Sequence, residues 1–279
     1  MTSRAVLITG CSTGIGRATA ERMAAKGWPV YATARRLESI KDLADAGCKT
    51  LALDVCDEES MRAAVAEVES AEGAVYALVN NAGYGQEGAV EEVPMDEIRR
   101  VFETNVFGLS RLTQLVLPGM REQGAGRIVN VSSMGGKVSL PGGGYYHATK
   151  HAVEAISDTL RFEVRRFGVH VSVIEPGTIK TKFGDTATST VEHLRDPSSP
   201  YAAFNDVLVR RINDAYEGKL ARFAAPPEAV AKAIDKAISS SRPKTRYRVT
   251  LAARVMLATR KITSDRGWDL FLRSQFPAR

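Results

Sequence analysis

The residue types best suited to chemistry lie in "YHATK", Tyr146 to Lys150. On a helix, a spacing of four puts the Tyr146 phenol and the Lys150 ammonium on one face, one turn apart. A free phenol is a poor base at neutral pH, with a reference pKa of about 10. A nearby lysine cation favours the phenolate, so the pair can trade a proton with an alcohol or carbonyl oxygen. Ser133 ends the run "GRIVNVSS" upstream, and its hydroxyl could donate to the same oxygen; Ser132 could exchange roles with it, though the spacing favours Ser133. Tyr145 competes with Tyr146, but only Tyr146 has the four-residue spacing, so Tyr145 is read as a packing or pocket residue. His147, His151, His170 and His193 have no serine-elbow partner, which argues against a nucleophilic triad and leaves them surface or packing roles.

A second constellation is "TGCSTGIGRATA", Thr9 to Ala20. A tight turn from strand to helix leaves the first N–H groups of the helix unpaired, with the positive end of its dipole behind them. An anionic diphosphate fits there if no Cβ blocks it, which is what Gly10, Gly14 and Gly16 provide. The Lys-Ser/Thr pair of a P-loop is missing, so the reading is a dinucleotide turn. In "VYATARR", Ala34 and Arg35 occupy the place where a carboxylate would bind both ribose hydroxyls of NAD. Arg35 can pair instead with a 2′-phosphate, so NADP(H) is preferred over NAD(H).

The elements that must position these groups repeat one theme. Short β-branched runs, "AVLITG", "PVYATA", "KTLALDV", "AVYALVNNAG", "GRIVNVSS" and "VHVSVIEPG", alternate with helical periodicity at 15–26, 58–69, 95–123 and 146–167. This predicts an α/β fold with a parallel sheet covered by helices on both faces, its strands buried on both sides. Residues 178–227 are polar and suggest at most one or two short helices, 229–239 is helical again, and "RYRVTL" reads as a last edge strand. No linker divides the chain, so one domain is expected over residues 1–279. Its core would span 1–180, a substrate loop region 181–227, and a helix and strand extension 228–279.

Composition bounds the rest. The chain has 279 residues, 44% hydrophobic and 25% charged, with a formal net charge of +6, which excludes disordered and fibrous classes. No apolar run approaches a bilayer span and residues 1–4 are too short for a signal peptide, so a cytoplasmic location is expected. Cys11, Cys48 and Cys56 lack metal or disulfide spacing and read as small buried thiols, and no metal site is expected. The basic excess between Arg242 and Arg273 interleaves with apolar residues. It reads as a solvated helix face, with peripheral membrane contact a weaker possibility; no nucleic-acid motif accompanies it.

Together, "TGCSTGIG", "NNAG" (80–83), Asn105 in "TNVFG", Ser133, "YHATK" and "PGTIKT" (176–181) resemble, in order and spacing, the motif set of the short-chain dehydrogenase/reductase family. The resemblance implies a doubly wound Rossmann fold with a seven-stranded parallel sheet. It also implies hydride transfer between a nicotinamide cofactor and an alcohol, ketone or aldehyde, with Tyr146 as general acid/base. In that family's terms Lys150 lowers the Tyr146 pKa and holds the nicotinamide ribose, Ser133 polarises the substrate oxygen, and Asn105 orders a water. Gly10, Thr13, Gly14, Ile15 and Gly16 form the dinucleotide turn, and Ser12 and Arg35 take the 2′-phosphate. Asp54 and Val55 face the adenine, while Asn81, Ala82 and Gly83 line the sheet centre. Pro176, Gly177, Ile179 and Thr181 meet the carboxamide end.

"VYATARR" and "RPKTRYRV" resemble the 17β-hydroxysteroid and retinol dehydrogenase branch, which implies a lipophilic substrate. Tyr84, Met134, Phe183, Tyr201 and Phe204 are candidate pocket residues. A reductase of short acyl or sugar-like carbonyls, or an NADPH-binding regulator without chemistry, are the alternatives. The resemblance also implies a homo-dimer or homo-tetramer.

Overall fold

The computed structural model describes residues 3–276. Seven strands form one parallel sheet in the order β3-β2-β1-β4-β5-β6-β7. They are β1 (Val6–Ile8), β2 (Val30–Ala34), β3 (Lys49–Ala52), β4 (Ala77–Asn80), β5 (Gly126–Val131), β6 (Val169–Glu175) and β7 (Arg246–Arg248). Successive residues of a strand face opposite sides, so both faces need apolar cover. Val6, Ile8, Val129 and Val131 join one core with Ala20 and Met23 of α1 (Gly14–Ala24) and Ile234 and Ile238 of α8 (Pro227–Ser239). Leu7 and Ile128 join the other with Val65 and Val68 of α2 (Glu58–Glu72) and Leu112 and Val116 of α4 (Leu109–Glu122). Arg22 and Lys26 clamp α8 through Asp235 at 2.8 and 2.6 Å. Strand β7 and helix α8 therefore complete the layered fold of a single Rossmann-like domain.

The helical pattern at 95–123 corresponds to α3 (Met95–Phe102), a π-helical stretch at Glu103–Gly108, and α4. Gly108 lets this rod touch the β3–α2 turn, since a Cβ there would stand 2.2 Å from the Val55 carbonyl oxygen. Helix α5 (Gly144–Val164) carries the Tyr146 motif in its first two turns.

Two expectations are corrected. The region after Thr181 is more ordered than its polarity suggests: α6 (Phe183–His193) has 11 residues and α7 (Ala202–Tyr216) has 15. These helices pack chiefly against each other, so many of their positions stay wet and their apolar stripe is thin. Cys11 and Cys48 are buried, but Cys56 on the β3–α2 turn is exposed, its Sγ 3.3 Å from Thr104 Oγ1 of the π-helical stretch. After β7 come α9 (Leu251–Ile262) and α10 (Asp265–Gln275). Part of the late basic charge is paired inside the chain, because Arg246 and Arg248 bind the buried Glu175 at 3.2 and 3.1 Å. Among the described residues no helix is long and apolar enough to cross a membrane.

Candidate active site

In the chain β1 leads to β2 on one side of the sheet, and its other neighbour β4 leads to β5 on the opposite side. A crevice at the carboxyl ends of β1 and β4 follows from that switch. Past β1 the chain turns through Gly10 and Gly14, at φ +72° and +60°. A Cβ on Gly16 would stand 2.3 Å from the Gly10 carbonyl oxygen, so only glycine lets α1 start there. Asn81 Nδ2 donates to the carbonyls of Thr9 and Gly10 at 2.9 and 3.1 Å. The Thr9 hydroxyl accepts from the N–H groups of Asn81 and Ala82 at 3.0 and 2.9 Å. Arg17 fixes the turn from outside, reaching the Ser12 carbonyl at 3.3 Å, the Ser39 carbonyl at 3.1 Å and Asp42 at 2.6 Å. Ile15 packs against the core beneath.

The amino end of α1 fits a diphosphate. Thr13 at its N-cap makes no side-chain capping bond, and no acid lies in the first turn. Its outward amides and dipole are left for an external anion. Arg35 is exposed at the end of β2 and, among the described residues, has no carboxylate partner. Beyond β3, Asp54 Oδ1 accepts from the Cys56 N–H at 3.0 Å while Val55 is buried. Thr181 closes the far side, 2.9 Å from where a Gly14 Cβ would stand. The segment between them is fixed by Met134 N–H donating to the Pro176 carbonyl at 2.8 Å, by the Ile179–Ala225 bridge, and by Gly177, whose Cβ would lie 2.3 Å from Thr250 Oγ1.

Tyr146 and Lys150 are both buried in α5. The Ser133 hydroxyl is near enough to the Tyr146 phenol to pull its pKa down, and it accepts from the Gly135 N–H at 3.0 Å. Ser132, by contrast, has a buried hydroxyl without a partner. Tyr145 turns away and donates to the Val90 carbonyl at 3.2 Å. Lys150 Nζ donates to the Val131 carbonyl at 3.0 Å and stands 5.9 Å from the centre of the Tyr146 ring. It also faces Gly83, where a Cβ would come within 3.6 Å of it. Burial pushes the Tyr146 phenol well above its ordinary value, opposed by the Ser133 hydroxyl and reinforced by Glu87. Burial likewise pushes the Lys150 ammonium down to about 8, with Glu154 acting against it. Burial thus dominates the Tyr146 phenol and holds it protonated.

Asn105 sits inside the π-helical stretch. Its Oδ1 accepts from the Tyr84 N–H at 3.1 Å, and its Nδ2 donates to the Tyr84 carbonyl at 2.9 Å and to Thr149 Oγ1 at 3.1 Å. It ties the segment after β4 to helix α5.

Of the pocket candidates, Phe183 stands over Tyr146 with ring centres 5.4 Å apart. Met134 packs with Val138, Leu257 and Trp268 instead. Tyr201 and Phe204 face each other at 6.4 Å, and Phe204 faces Phe276 at 6.0 Å. The Tyr84 hydroxyl is buried without a hydrogen-bond partner among the described residues, and burial pushes its phenol up to about 12. Sequence reasoning missed three residues around Tyr146. His147 has its ring 5.7 Å from that of Tyr146, and Tyr216 and Glu87 both lie within electrostatic range of it. His147 adjoins Tyr146 in sequence; Glu87 and Tyr216 carry no local signal.

Comparison with known proteins agrees with this architecture. The short chain dehydrogenase family model matches residues 4–192. The chain is 35% identical over 270 residues to the oxidoreductase YbbO of Escherichia coli K12, covering 96% of this chain and 94% of that one. It is 36% identical over 265 residues to human 17-beta-hydroxysteroid dehydrogenase type 1, covering 90% and 78%. A solved short chain dehydrogenase/reductase from Burkholderia phymatum, in complex with NAD, superposes with a TM-score of 0.79 at 28% identity, covering 93% of each chain. The protein belongs to the short-chain dehydrogenase family. Its fold is that of the short-chain oxidoreductases.

Proposed function

We propose that the protein is an NADP(H)-dependent oxidoreductase acting on a ketone or aldehyde, or on the corresponding alcohol, and that its substrate is lipophilic. The observation that carries this is the convergence of Tyr146, Ser133 and Lys150 at one end of α5, beside an uncapped α1. The bound nicotinamide supplies or accepts the hydride. In reduction the protonated Tyr146 phenol donates its proton to the carbonyl oxygen, and in oxidation the phenolate accepts it back. Ser133 donates a hydrogen bond to the same oxygen. Lys150, anchored on Val131, holds the ribose and places a positive field under the phenolate as it forms. Asn105 keeps Tyr84, Thr149 and hence the start of α5 in register, next to the water it would order.

Gly10, Thr13, Gly14, Ile15 and Gly16 would hold the diphosphate, and Ser12 and Arg35 the 2′-phosphate. Asp54 and Val55 would flank the adenine, Asn81, Ala82 and Gly83 the middle of the cofactor, and Pro176, Gly177, Ile179 and Thr181 its carboxamide. The unpaired Arg35 supports NADP(H), because a guanidinium recognises a phosphate by charge-assisted hydrogen bonds. Phe183 over Tyr146, and the likeness to a hydroxysteroid dehydrogenase, support a lipophilic substrate. Exposed Phe107 on the α3–α4 rod and Phe162 on α5 support self-association as a dimer or tetramer, in the cytoplasm. The test is loss of NADPH absorbance, beside NADH, against ketones and aldehydes from short-chain carbonyls to steroids and retinal. Turnover with NADPH is expected. NADPH binding without turnover of any carbonyl would replace this reading by a regulator.

A further inference from the structure

Helix α9 carries apolar side chains on two opposite faces. Ala253 and Leu257 point inward and are buried. Leu257 joins Val138 and Trp268 of α10, with Met134 and Leu140 packed against them. Leu251, Val255, Ala258 and Ile262 recur at helical spacing along the other face, and all four are exposed. Leu251 and Ile262, at 76% and 87%, are the most exposed large apolar side chains among the described residues. Single exposed apolar residues are ordinary, but a stripe of them along the whole of one helix face needs a cover.

The inner face fixes which way the outer one looks. Thr250 caps the helix by accepting from the Ala253 N–H at 3.0 Å. Arg260 fastens its far end, donating to the Thr263 carbonyl at 3.0 Å and to Asp265 at 2.6 Å. A Cβ on Gly177 would stand 2.3 Å from Thr250 Oγ1 and 3.4 Å from the Ala253 Cβ, so α9 starts against the candidate carboxamide segment. Met134, which follows Ser133 in the chain, lies against its inner face. The outer stripe is thus carried by a helix that borders the crevice.

Charge decides what can cover the stripe. Helix α9 contains no Asp or Glu. The salt bridges of this region take Arg246, Arg248 and Arg260. Arg254 and Lys261, two helical turns apart along one flank of the stripe, are exposed and have no carboxylate partner among the described residues. A second copy of the chain, meeting the stripe about a two-fold axis, would bring the same acid-free helix and the same cations to the contact. An anionic lipid surface supplies hydrocarbon for Leu251, Val255 and Ile262 and phosphate for Arg254 and Lys261. The 12 residues of α9 are too few to span a bilayer, so the helix would lie in the plane of the interface.

We propose that the outer face of α9 docks the protein on an anionic membrane surface, and that a lipophilic substrate passes from the bilayer into the adjoining crevice. The docking stands on α9 itself; the passage of substrate rests on the reductase reading above.

In the experiment the full chain is sedimented with phosphatidylcholine vesicles and with vesicles that also contain phosphatidylglycerol, beside the double variants Leu251→Ser/Ile262→Ser and Arg254→Glu/Lys261→Glu. The expected result is binding to the anionic vesicles about tenfold tighter or more, weakened by salt and cut about tenfold or more in each double variant. Both variants change exposed residues and should melt near the parent's temperature. With NADPH, Leu251→Ser/Ile262→Ser should raise KM about tenfold for a long-chain ketone dissolved in anionic vesicles and leave a water-soluble short-chain ketone unaffected. No sedimentation with anionic vesicles, equal binding to both kinds, or binding that survives either double variant would overturn the proposal. So would a dimer in solution that Leu251→Ser/Ile262→Ser converts to monomer, because a second copy would then be the cover. Vesicle binding as expected with no ketone reduced would uphold the docking and remove the reductase reading instead.

Discussion

The two sides of the crevice are built differently. The side at β1, β4 and α1 is made of backbone and small residues: glycines at positive φ, an asparagine on two carbonyls and a helix end left uncapped. The side at α5, α6 and α7 is made of rings packed around titratable groups, with Phe183, His147 and Tyr216 about Tyr146 and Glu87. The first fixes where a charged ligand lies by excluding atoms. The second fixes protonation states by excluding water. Damage to the first should appear in cofactor affinity, and damage to the second in turnover and pH response.

The sharpest break is Tyr146→Phe. It should lower kcat by about 10²- to 10⁴-fold, the range of general acid–base catalysis, with NADPH affinity by fluorescence titration nearly unchanged. Gly16→Val should do the reverse. Its side chain meets the Gly10 carbonyl oxygen and Asn81 Nδ2 at 2.3 and 2.6 Å, at a cost of about 3 kcal/mol or more. A lower melting temperature and loss of saturable NADPH binding would record it.

A third test concerns protonation. His147 titrates near 6.5 when unfolded, but in the fold burial, aided by the charge of His151, pushes it down to about 4. The native state therefore resists protonation that the unfolded chain accepts. This stability is present above pH 6.5 and is lost as pH falls from there toward 4, reaching about 3 kcal/mol at 1.36 kcal/mol per pKa unit. Melting curves across that window should fall more steeply for the parent than for His147→Gln. The smallest change expected is Arg35→Ala, which removes charge-assisted hydrogen bonds of about 1.5–3 kcal/mol. It should cut the ratio of NADPH to NADH affinity roughly tenfold or more, and leave kcat with saturating NADPH alone.

Much of the first side was legible beforehand. Buried parallel strands read as unbroken apolar runs, and a glycine cluster between such a run and a helix has few other uses. The Tyr146–Lys150 pair was legible because helical spacing is local. The second side was not. Residues 183–216 interrupt their apolar pattern with Thr, Gly and Asn because α6 and α7 pack mainly on each other, so they read as loop. Glu87 falls in a glycine-rich stretch, "YGQEG", where a carboxylate reads as solvated surface. Phe183 from α6 and His147 from α5 approach beside it and leave it half-buried.

By itself the sequence determined the order of strands and helices, the dinucleotide turn and the spacing of the reactive pair, since each depends on residues within about one turn or one strand of one another. The tertiary structure decided which charges are paired and which protons are held, because those depend on groups that meet only when α5, α6 and α7 close over the sheet edge. That is why burial governs the Tyr146 phenol, and why Glu154, Glu175 and Asp235 are buried beside cations.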